Sequence, residues 1–199
     1  RRVLIQGLNA RYLVVGDDFH FARRREGSVE HLNAVAGLLE YDVEQVPSVV
    51  VNGVRVSSTA IRDALGRGDM QTAAKLLGRP YRMSGKIVKG DRVGRTLGYP
   101  TANVDLRRRQ SAVMGFFAAR VYGLDGCRLD DVESVGSRPT FAGSSRILEV
   151  HIFDFDEDIY GKYIHVDFIA WLRDQVKFDM VEDLVAQMDV DADNARSAL

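Results

Sequence analysis

The chain has 199 residues, of which 46% are hydrophobic and 28% charged, and its formal net charge is −1. This composition excludes a disordered tail, and the near-zero charge gives no bulk attraction for nucleic acid or anionic lipid. No apolar run approaches the roughly 18 residues of a membrane helix. The only cysteine, Cys127, excludes a disulfide framework and a multi-cysteine zinc site, so we expect a reducing, cytoplasmic setting.

The length fits one large domain or two small ones. The first part of the chain alternates strand and helix patterns. Tyr12–Gly16 has the pattern of a short buried strand, and apolar residues at helical spacing predict a helix between Ser28 and Tyr41. Val49–Val56 predicts a hairpin, because Asn52-Gly53 supplies the two positive-φ residues of a type I′ turn. The order of these elements favours an α/β layer.

Two helices are predicted after the hairpin. Ser57, Ser58 and Thr59 are candidates for the N-cap of the first helix, and the second ends at Gly78. Beyond Gly78 the pattern changes to short β-type runs. We therefore expect one domain over residues 1–78 and another over residues 79–199.

The second domain has the pattern of a small β-barrel. Its strand-like runs are broken by glycine, proline and aspartate, and in the last two apolar and polar residues largely alternate. A helix follows, since Asp179 and Glu182 have capping-box spacing ahead of apolar residues at helical spacing. The runs are Tyr81–Val88, Phe116–Tyr122, Leu148–Phe153 and Tyr163–Ala170.

A basic, glycine-rich segment lies near the start of this domain. Nine Lys or Arg residues lie between positions 79 and 109, against two aspartates. Backbone N–H groups and cations both favour polyphosphate, although a solvated hairpin loop is the alternative. Neither a P-loop nor a dinucleotide-binding fingerprint is present. The candidate phosphate-binding residues are Gly85, Lys86, Gly90, Gly94 and Arg95, with Lys89 and Gly98 beside them.

Directly behind this segment stands Pro100-Thr101-Ala102-Asn103. Thr101 and Asn103 offer neutral oxygens, which suit a Mg²⁺ that keeps several waters and bridges phosphates. The run from Gly94 to Asn103 resembles the signature of riboflavin kinases, in which the Pro-Thr-Ala-Asn motif holds Mg-ATP. The resemblance continues in family order through residues 136–141, 148–161 and 168–179.

The resemblance implies a six-stranded, Greek-key-like β-barrel with a C-terminal helix. It implies transfer of the ATP γ-phosphoryl group to the ribityl 5′-hydroxyl of riboflavin, giving FMN, with Glu149 as general base. Thr101 and Asn103 would hold Mg²⁺ and phosphate, while Tyr99 and Arg173 would face the flavin. By its pattern alone, Glu149 fits a surface glutamate better than a catalytic base, and the resemblance reverses that preference.

The upstream part resembles the Rossmann-like FMN adenylyltransferase domain of bacterial bifunctional FAD synthetases. Val14–Phe19 and Arg55–Arg62 carry the resemblance, which implies that Ser58, Thr59 and Arg62 hold a triphosphate at a helix N-terminus. The family's His-x-Gly-His motif does not occur, and the chain begins without methionine. We interpret residues 1–78 as the C-terminal part of that domain, and we expect no FAD synthesis by this chain alone.

Several alternatives stay open. A flavin- or nucleotide-binding module without catalysis is the main one, and RNA binding is a distant one because the aromatic residues are not interleaved with the basic residues. An incomplete sheet would expose an edge, which leaves self-association or disorder open for residues 1–78. The roles of His151 and Trp171 are also open, and small molecules are the partners that we expect.

Overall fold

The computed structural model describes residues 2–90, 93–106, 111–124, 126–140 and 143–199. The chain divides into two compact units, Arg1–Val56 and Ser57–Leu199. Residues 57–78 thus group with the second unit, whereas the change in sequence pattern places the domain boundary after them. That boundary stays a prediction. Within the described ranges, no helix has both the length and the apolar character needed to cross a membrane.

The first unit is built on a strand–helix–strand arrangement. Its two longer strands are parallel, with Tyr12 opposite Asp42 and Gly16 opposite Val46. The hairpin turn has φ values of 50° at Asn52 and 77° at Gly53, which confirms the predicted turn. The elements are a π-helix (Arg2–Gly7), β1 (Tyr12–Gly16), a 3₁₀ turn (Arg23–Arg25), α1 (Val29–Leu39), β2 (Asp42–Val46), β3 (Val50–Val51) and β4 (Val54–Arg55).

Two short helices, α2 (Ser58–Gly66) and α3 (Met70–Leu77), open the second unit. The Ser57 hydroxyl accepts the N–H of Ala60 at 3.1 Å and so caps α2. The predicted pair of helices is confirmed, and α3 ends at Gly78 in the left-handed region. Ala64, Leu65, Met70 and Ala73 belong to the same apolar core as the barrel, so the helices pack on it.

Among the described residues, six strands close into a barrel in the order β10-β5-β6-β9-β8-β7, with every neighbouring pair antiparallel. The sequence β10-β7-β8-β9 is a Greek-key order, so the expected barrel is confirmed. Its elements are β5 (Tyr81–Val88), α4 (Val93–Thr96), β6 (Ala102–Asp105), β7 (Gly115–Leu124), β8 (Cys127–Thr140), β9 (Gly143–Ile152) and β10 (Tyr163–Arg173).

The C-terminal helix α5 (Val181–Ala198) covers part of the outer wall of the barrel. Ala192 and Ala195 pack there against Ala118 and Val132. The predicted side-chain cap is wrong, because the N-cap is Met180 and no side chain bonds to the first turn. Burial of the small alanine face against β7 and β8 holds the helix instead. Inside the barrel lie large apolar side chains, including those of Met83, Ile87, Phe117, Leu148, Ile164 and Phe168.

Candidate active site

One transverse row of the barrel carries the candidate site. Asn103 on β6 lies directly opposite Glu149 on β9, which lies opposite Ser134 on β8. Directly opposite residues project from the same face of a sheet. Leu148 and Val150 are buried in the barrel core, so Glu149 between them projects from the outer face. The register thus places an amide and a carboxylate side by side on the outer wall.

The row continues around the barrel. Ser134 lies opposite Phe116 on β7, and Phe116 lies opposite Arg173 on β10. Residues that are far apart in the sequence therefore share one band of the outer wall. The part of this band on β7, β8 and β10 is the surface on which α5 packs.

Two cavities lie on either side of residues 100–103. The Glu149 cavity, of about 270 Å³, takes its polar lining from Asn103, Glu149 and His151 and its apolar lining from Leu184 and Met188 of α5, among others. Its remaining lining residues are Gly94, Leu97, Tyr99, Thr101, Phe116, Val132, Glu133, Ser134 and Asp191.

The barrel-mouth cavity, of about 450 Å³, has a floor of Ile87, Ala102 and Val150. Arg95 contributes a cation to its wall, and the exposed acidic segment 156–158 contributes carboxylates. Thr101 lines both cavities. The threonine therefore marks the place where ligands of the two cavities could meet.

Two glycines let the basic segment approach the Pro-Thr-Ala-Asn motif closely. A Cβ atom at Gly90 would lie 2.1 Å from the Asn103 amide nitrogen, and one at Gly94 would lie 2.3 Å from the Tyr99 carbonyl oxygen. Both distances are shorter than atoms allow, so any other residue would displace the Asn103 side chain or the Tyr99 backbone. Asn103 is only 7% exposed, and Gly90 lies against its carboxamide.

Tyr99 and His151 connect this motif to its surroundings. The His151 imidazole donates from Nδ1 to the Pro100 carbonyl oxygen at 2.9 Å, and its ring centroid lies 5.1 Å from that of Tyr99. The Tyr99 hydroxyl donates to the Asp189 carboxylate on α5. Burial and this bond raise the pKa of Tyr99 to about 12, so the hydroxyl stays protonated.

Arg173 anchors α5 at the edge of the Glu149 cavity. Its Nε donates to Asp191 at 2.8 Å, and its guanidinium lies 3.8 Å from the centroid of the Phe116 ring. Asp191 is 2% exposed and also accepts a hydrogen bond from Gln187 at 3.0 Å. The buried ion pair keeps two carboxylate oxygens satisfied and fixes the helix against β10.

Comparison with known families agrees with this geometry. The family model described as riboflavin kinase matches residues 77–199. The chain belongs to the riboflavin kinase family. A second model, described as FAD synthetase, matches residues 1–60.

Curated relatives are named for both riboflavin kinase and FMN adenylyltransferase. The chain is 38% identical over 196 residues to the bifunctional riboflavin kinase/FMN adenylyltransferase of Haemophilus influenzae, covering 98% of this chain and 64% of the relative. It is 41% identical over 194 residues to the protein of the same name from Escherichia coli K12, covering 98% and 62%. The chain thus spans less than two thirds of the length of these relatives.

A solved structure shares the fold across most of the chain. It is the crystal structure described as macrolide-efflux protein from Streptococcus pneumoniae, with 36% identity and a TM-score of 0.74. The match covers 96% of this chain and 62% of that one. Both units of the present chain therefore resemble parts of a longer solved protein.

The riboflavin kinase barrel brings together some of the predicted site residues. Thr101, Asn103 and Glu149 line the Glu149 cavity, as do Gly94 and Tyr99. Their roles stay predictions, but their proximity across three separate segments of the chain is an observation.

Other predicted residues lie away from both cavities. Gly85 is buried in β5, where a Cβ would lie 2.5 Å from the Asp105 carbonyl oxygen, so its smallness serves the contact between β5 and β6. Lys86 is exposed on β5, opposite Tyr163. Trp171 lies against Gly68 in the turn between α2 and α3. Asp91, Arg92 and Phe141 of the quoted motifs lie outside the described residues.

The predicted triphosphate-binding residues occupy the first turns of α2. Ser58, Thr59 and Arg62 are all exposed there, and Ser57 supplies the cap. These contacts do not test whether the three residues hold a triphosphate, so that role stays a prediction.

Sequence reasoning missed the contribution of α5 to the site. Asp189 and Asp191 hold Tyr99 and Arg173, and Leu184 and Met188 line the cavity. Their helical spacing was visible, but which strands the helix covers depends on long-range packing.

A metal site here would depend on neutral oxygens. In the part of the chain that the structure describes, no group of three His, Cys, Asp or Glu residues could hold a metal. The Thr101 hydroxyl and the Asn103 carboxamide are hard oxygen donors on neighbouring positions of one segment, which fits a Mg²⁺ that keeps waters and phosphate oxygens.

Proposed function

We propose that this chain catalyses the ATP-dependent phosphorylation of riboflavin, giving FMN and ADP. One observation carries the proposal: Glu149 and Asn103 are direct neighbours on the outer wall, and Thr101 lies between two cavities. A carboxylate beside hard oxygen donors is what transfer of a phosphoryl group to a hydroxyl needs.

Riboflavin fits the Glu149 cavity. Leu97, Leu184 and Met188 give it apolar walls, and the rings of Tyr99 and Phe116 offer flat surfaces for an isoalloxazine ring. With the ring between these walls, the ribityl chain would extend toward Glu149.

ATP fits the barrel-mouth cavity. Its acidic segment 156–158 disfavours free phosphate and suits the amino and hydroxyl groups of adenosine, whereas Arg95 suits phosphate oxygens. The γ-phosphoryl group would then lie toward Thr101, the residue common to both cavities.

In the reaction, the Glu149 carboxylate accepts the proton of the 5′-hydroxyl. The hydroxyl oxygen bonds to the γ-phosphorus as the bond between the γ-phosphorus and the ADP oxygen breaks. Thr101 and Asn103 would hold Mg²⁺, which supplies positive charge to the phosphate oxygens when bound. The close approach of Gly90 and Gly94 brings the basic segment against this motif.

The test is incubation of the chain with riboflavin and Mg-ATP, with the flavin product separated by chromatography. FMN formation is expected. Tight binding of riboflavin without turnover would support the non-catalytic module instead. A Thr101→Ala variant should weaken apparent Mg-ATP affinity, and an unchanged affinity would contradict the metal assignment.

A second activity is proposed for the longer parent protein. The match to FAD synthetase over residues 1–60 and the exposed residues at the start of α2 support adenylylation of FMN by that parent, in the cytoplasm. The 199-residue chain should make no FAD, and FAD in the same assay would contradict this.

Self-association is proposed through the first unit. Tyr12 and Val14 on β1 are 55% and 58% exposed, and the parallel pair β1–β2 is a sheet of two strands, with its outer edges open to pairing. Sedimentation equilibrium should show mass increasing with concentration, and a constant monomer mass would contradict this.

A further inference from the structure

We propose that His151 is a positioning residue that holds the carbonyl of Pro100 and thereby fixes Thr101 between the two cavities. The inference rests on the proposed phosphorylation of riboflavin. It concerns a residue two positions after Glu149 on β9, on the same outer face and lining the same cavity.

The bond from His151 continues the strand pairing where the backbone ladder stops. The pairs between β6 and β9 run from Val104 opposite Leu148 to Ala102 opposite Val150. The next position would set Thr101 opposite His151. Instead, the side chain of His151 reaches the Pro100 carbonyl oxygen at 2.9 Å. Thr101 therefore lies between a backbone pair on one side and a side-chain bond on the other.

The imidazole ring is itself held in place. Its centroid lies 5.1 Å from that of Tyr99 and 5.8 Å from that of Phe153, the latter edge to face. Tyr99 is bonded to Asp189 on α5, and the Arg196 guanidinium lies 3.9 Å from the Phe153 ring centroid. Neighbours on both sides thus restrict the ring, which lets one hydrogen bond define a position.

The acceptor determines the form of the imidazole. A carbonyl oxygen has no hydrogen to give, so Nδ1 carries the proton and the neutral ring is the Nδ1–H tautomer. An asparagine side chain can place its amide nitrogen near the position of Nδ1. A phenylalanine keeps the ring contacts but offers no donor.

These two substitutions separate the effect of the hydrogen-bond donor from the effect of the aromatic ring. With the intact chain, kcat and the KM values for riboflavin and Mg-ATP would be measured for His151→Asn and His151→Phe. We expect H151F to lose kcat by about 10-fold or more, because misplacing a group near the reacting atoms is costly. H151N should stay within about 3-fold of wild type. The KM for riboflavin should change less than kcat in H151F, since the apolar wall remains.

The matched control is His165→Phe. His165 lies on β10, bonds through Nδ1 to the Ser84 hydroxyl at 2.7 Å and packs against Tyr163, so the change removes a similar bond. His165 lines neither cavity, and H165F should keep kcat. Equal losses in H151N and H151F, or a wild-type kcat in H151F, would overturn the proposal.

A readout independent of activity distinguishes this proposal from the proposed function. Nitrogen-15 NMR of the imidazoles, with H151N used to identify the signals, should show Nδ1 of His151 protonated. An Nε2–H tautomer would overturn the positioning role even if the chain makes FMN. A chain that makes no FMN but shows the Nδ1–H tautomer would contradict the proposed function and leave the bond to Pro100 supported.

Discussion

Glu133 and Glu149 are one residue step apart on neighbouring strands, yet they face opposite sides of the barrel wall. Glu149 lies opposite Ser134 on the outer wall, whereas Glu133 lies opposite Val150 and is 1% exposed. Among the described residues, neither Glu133 oxygen has a hydrogen-bond partner. A glutamate side chain is thus a candidate base on the outer face, at Glu149, and a buried acid on the inner face, at Glu133.

The difference lies in the environment and not in the residue type. Burial, followed by the charges of Asp131 and Asp167, raises the pKa of Glu133 well above its usual value. A carboxyl group whose charged form is disfavoured by burial is less available than an ionised one to accept a proton from a substrate hydroxyl. The pleat of one strand therefore separates the candidate base on the outer face from a second glutamate on the inner face, where burial disfavours the charged form.

The largest effect is expected for Glu149→Gln. Loss of the proton acceptor should lower kcat by about 10²–10⁴-fold, with little change in thermal stability. The matched change on the inner face, Glu133→Gln, should keep kcat. Assays of FMN formation by both variants would settle the comparison, and full activity in E149Q would contradict the base assignment.

A substitution that adds only a methyl group should disturb the outer face without changing any charged residue. Gly90→Ala would place a methyl group on the Asn103 carboxamide, so we expect a loss of about 1–3 kcal/mol of stability together with weaker Mg-ATP binding. Gly66→Ala in α2 is the control, since a Cβ there meets nothing within 4 Å. Chemical denaturation and calorimetry of Mg-ATP binding measure the two effects. Equal stabilities of G90A and G66A would contradict the close packing.

The contribution of the acids on the inner face to folding stability should depend on pH. Asp131, two residues before Glu133, is fully buried, and burial followed by the charge of Asp130 raises its pKa. Both acids hold their protons in the folded state at a pH where the unfolded chain has released them. The contribution of these two groups to stability should therefore fall as pH rises from the unfolded pKa of about 4 toward the raised folded values.

Glu133→Gln and Asp131→Asn test this directly. Each should raise stability at pH 7, by on the order of 1–2 kcal/mol, and reduce the fall of stability between pH 4 and 7. Urea unfolding at several pH values gives the measurement. A wild type whose stability rises over that interval, with variants that follow it, would show that these carboxyls are not held neutral.

The smallest effect is expected for Tyr99→Phe. The variant keeps the ring against His151 but loses the bond to Asp189, so α5 should be held less firmly over the Glu149 cavity. We expect the KM for riboflavin to rise by about 3-fold to 10-fold. An unchanged KM would show that Arg173 and Asp191 alone suffice to position the helix.

The sequence predicted four of the barrel strands because their apolar positions recur at strand or core spacing. It missed β8, whose inward positions Asp131 and Glu133 are acidic and so contradict the expected alternation. It missed β6, which has four residues and follows a proline. A pattern of alternating apolar residues cannot reveal a strand whose inward side chains are acidic.

The candidate site was predictable only in part. The residues Thr101, Asn103 and Glu149 stand in motifs, so their chemistry could be anticipated. Their adjacency depends on the pairing of β6 with β9, which joins segments about 46 positions apart and leaves no local signal. The anchoring of Tyr99 and Arg173 on α5 depends on which strands that helix covers.

Thr101 lines both cavities, so a four-residue strand and its preceding turn form a partition between two cavities. A partition of this kind bears on the order in which two ligands would enter and leave. With the two substrates bound as proposed, each would be exchanged on its own side, and neither would have to leave before the other. The partition would separate the two substrates everywhere except at the atoms that react.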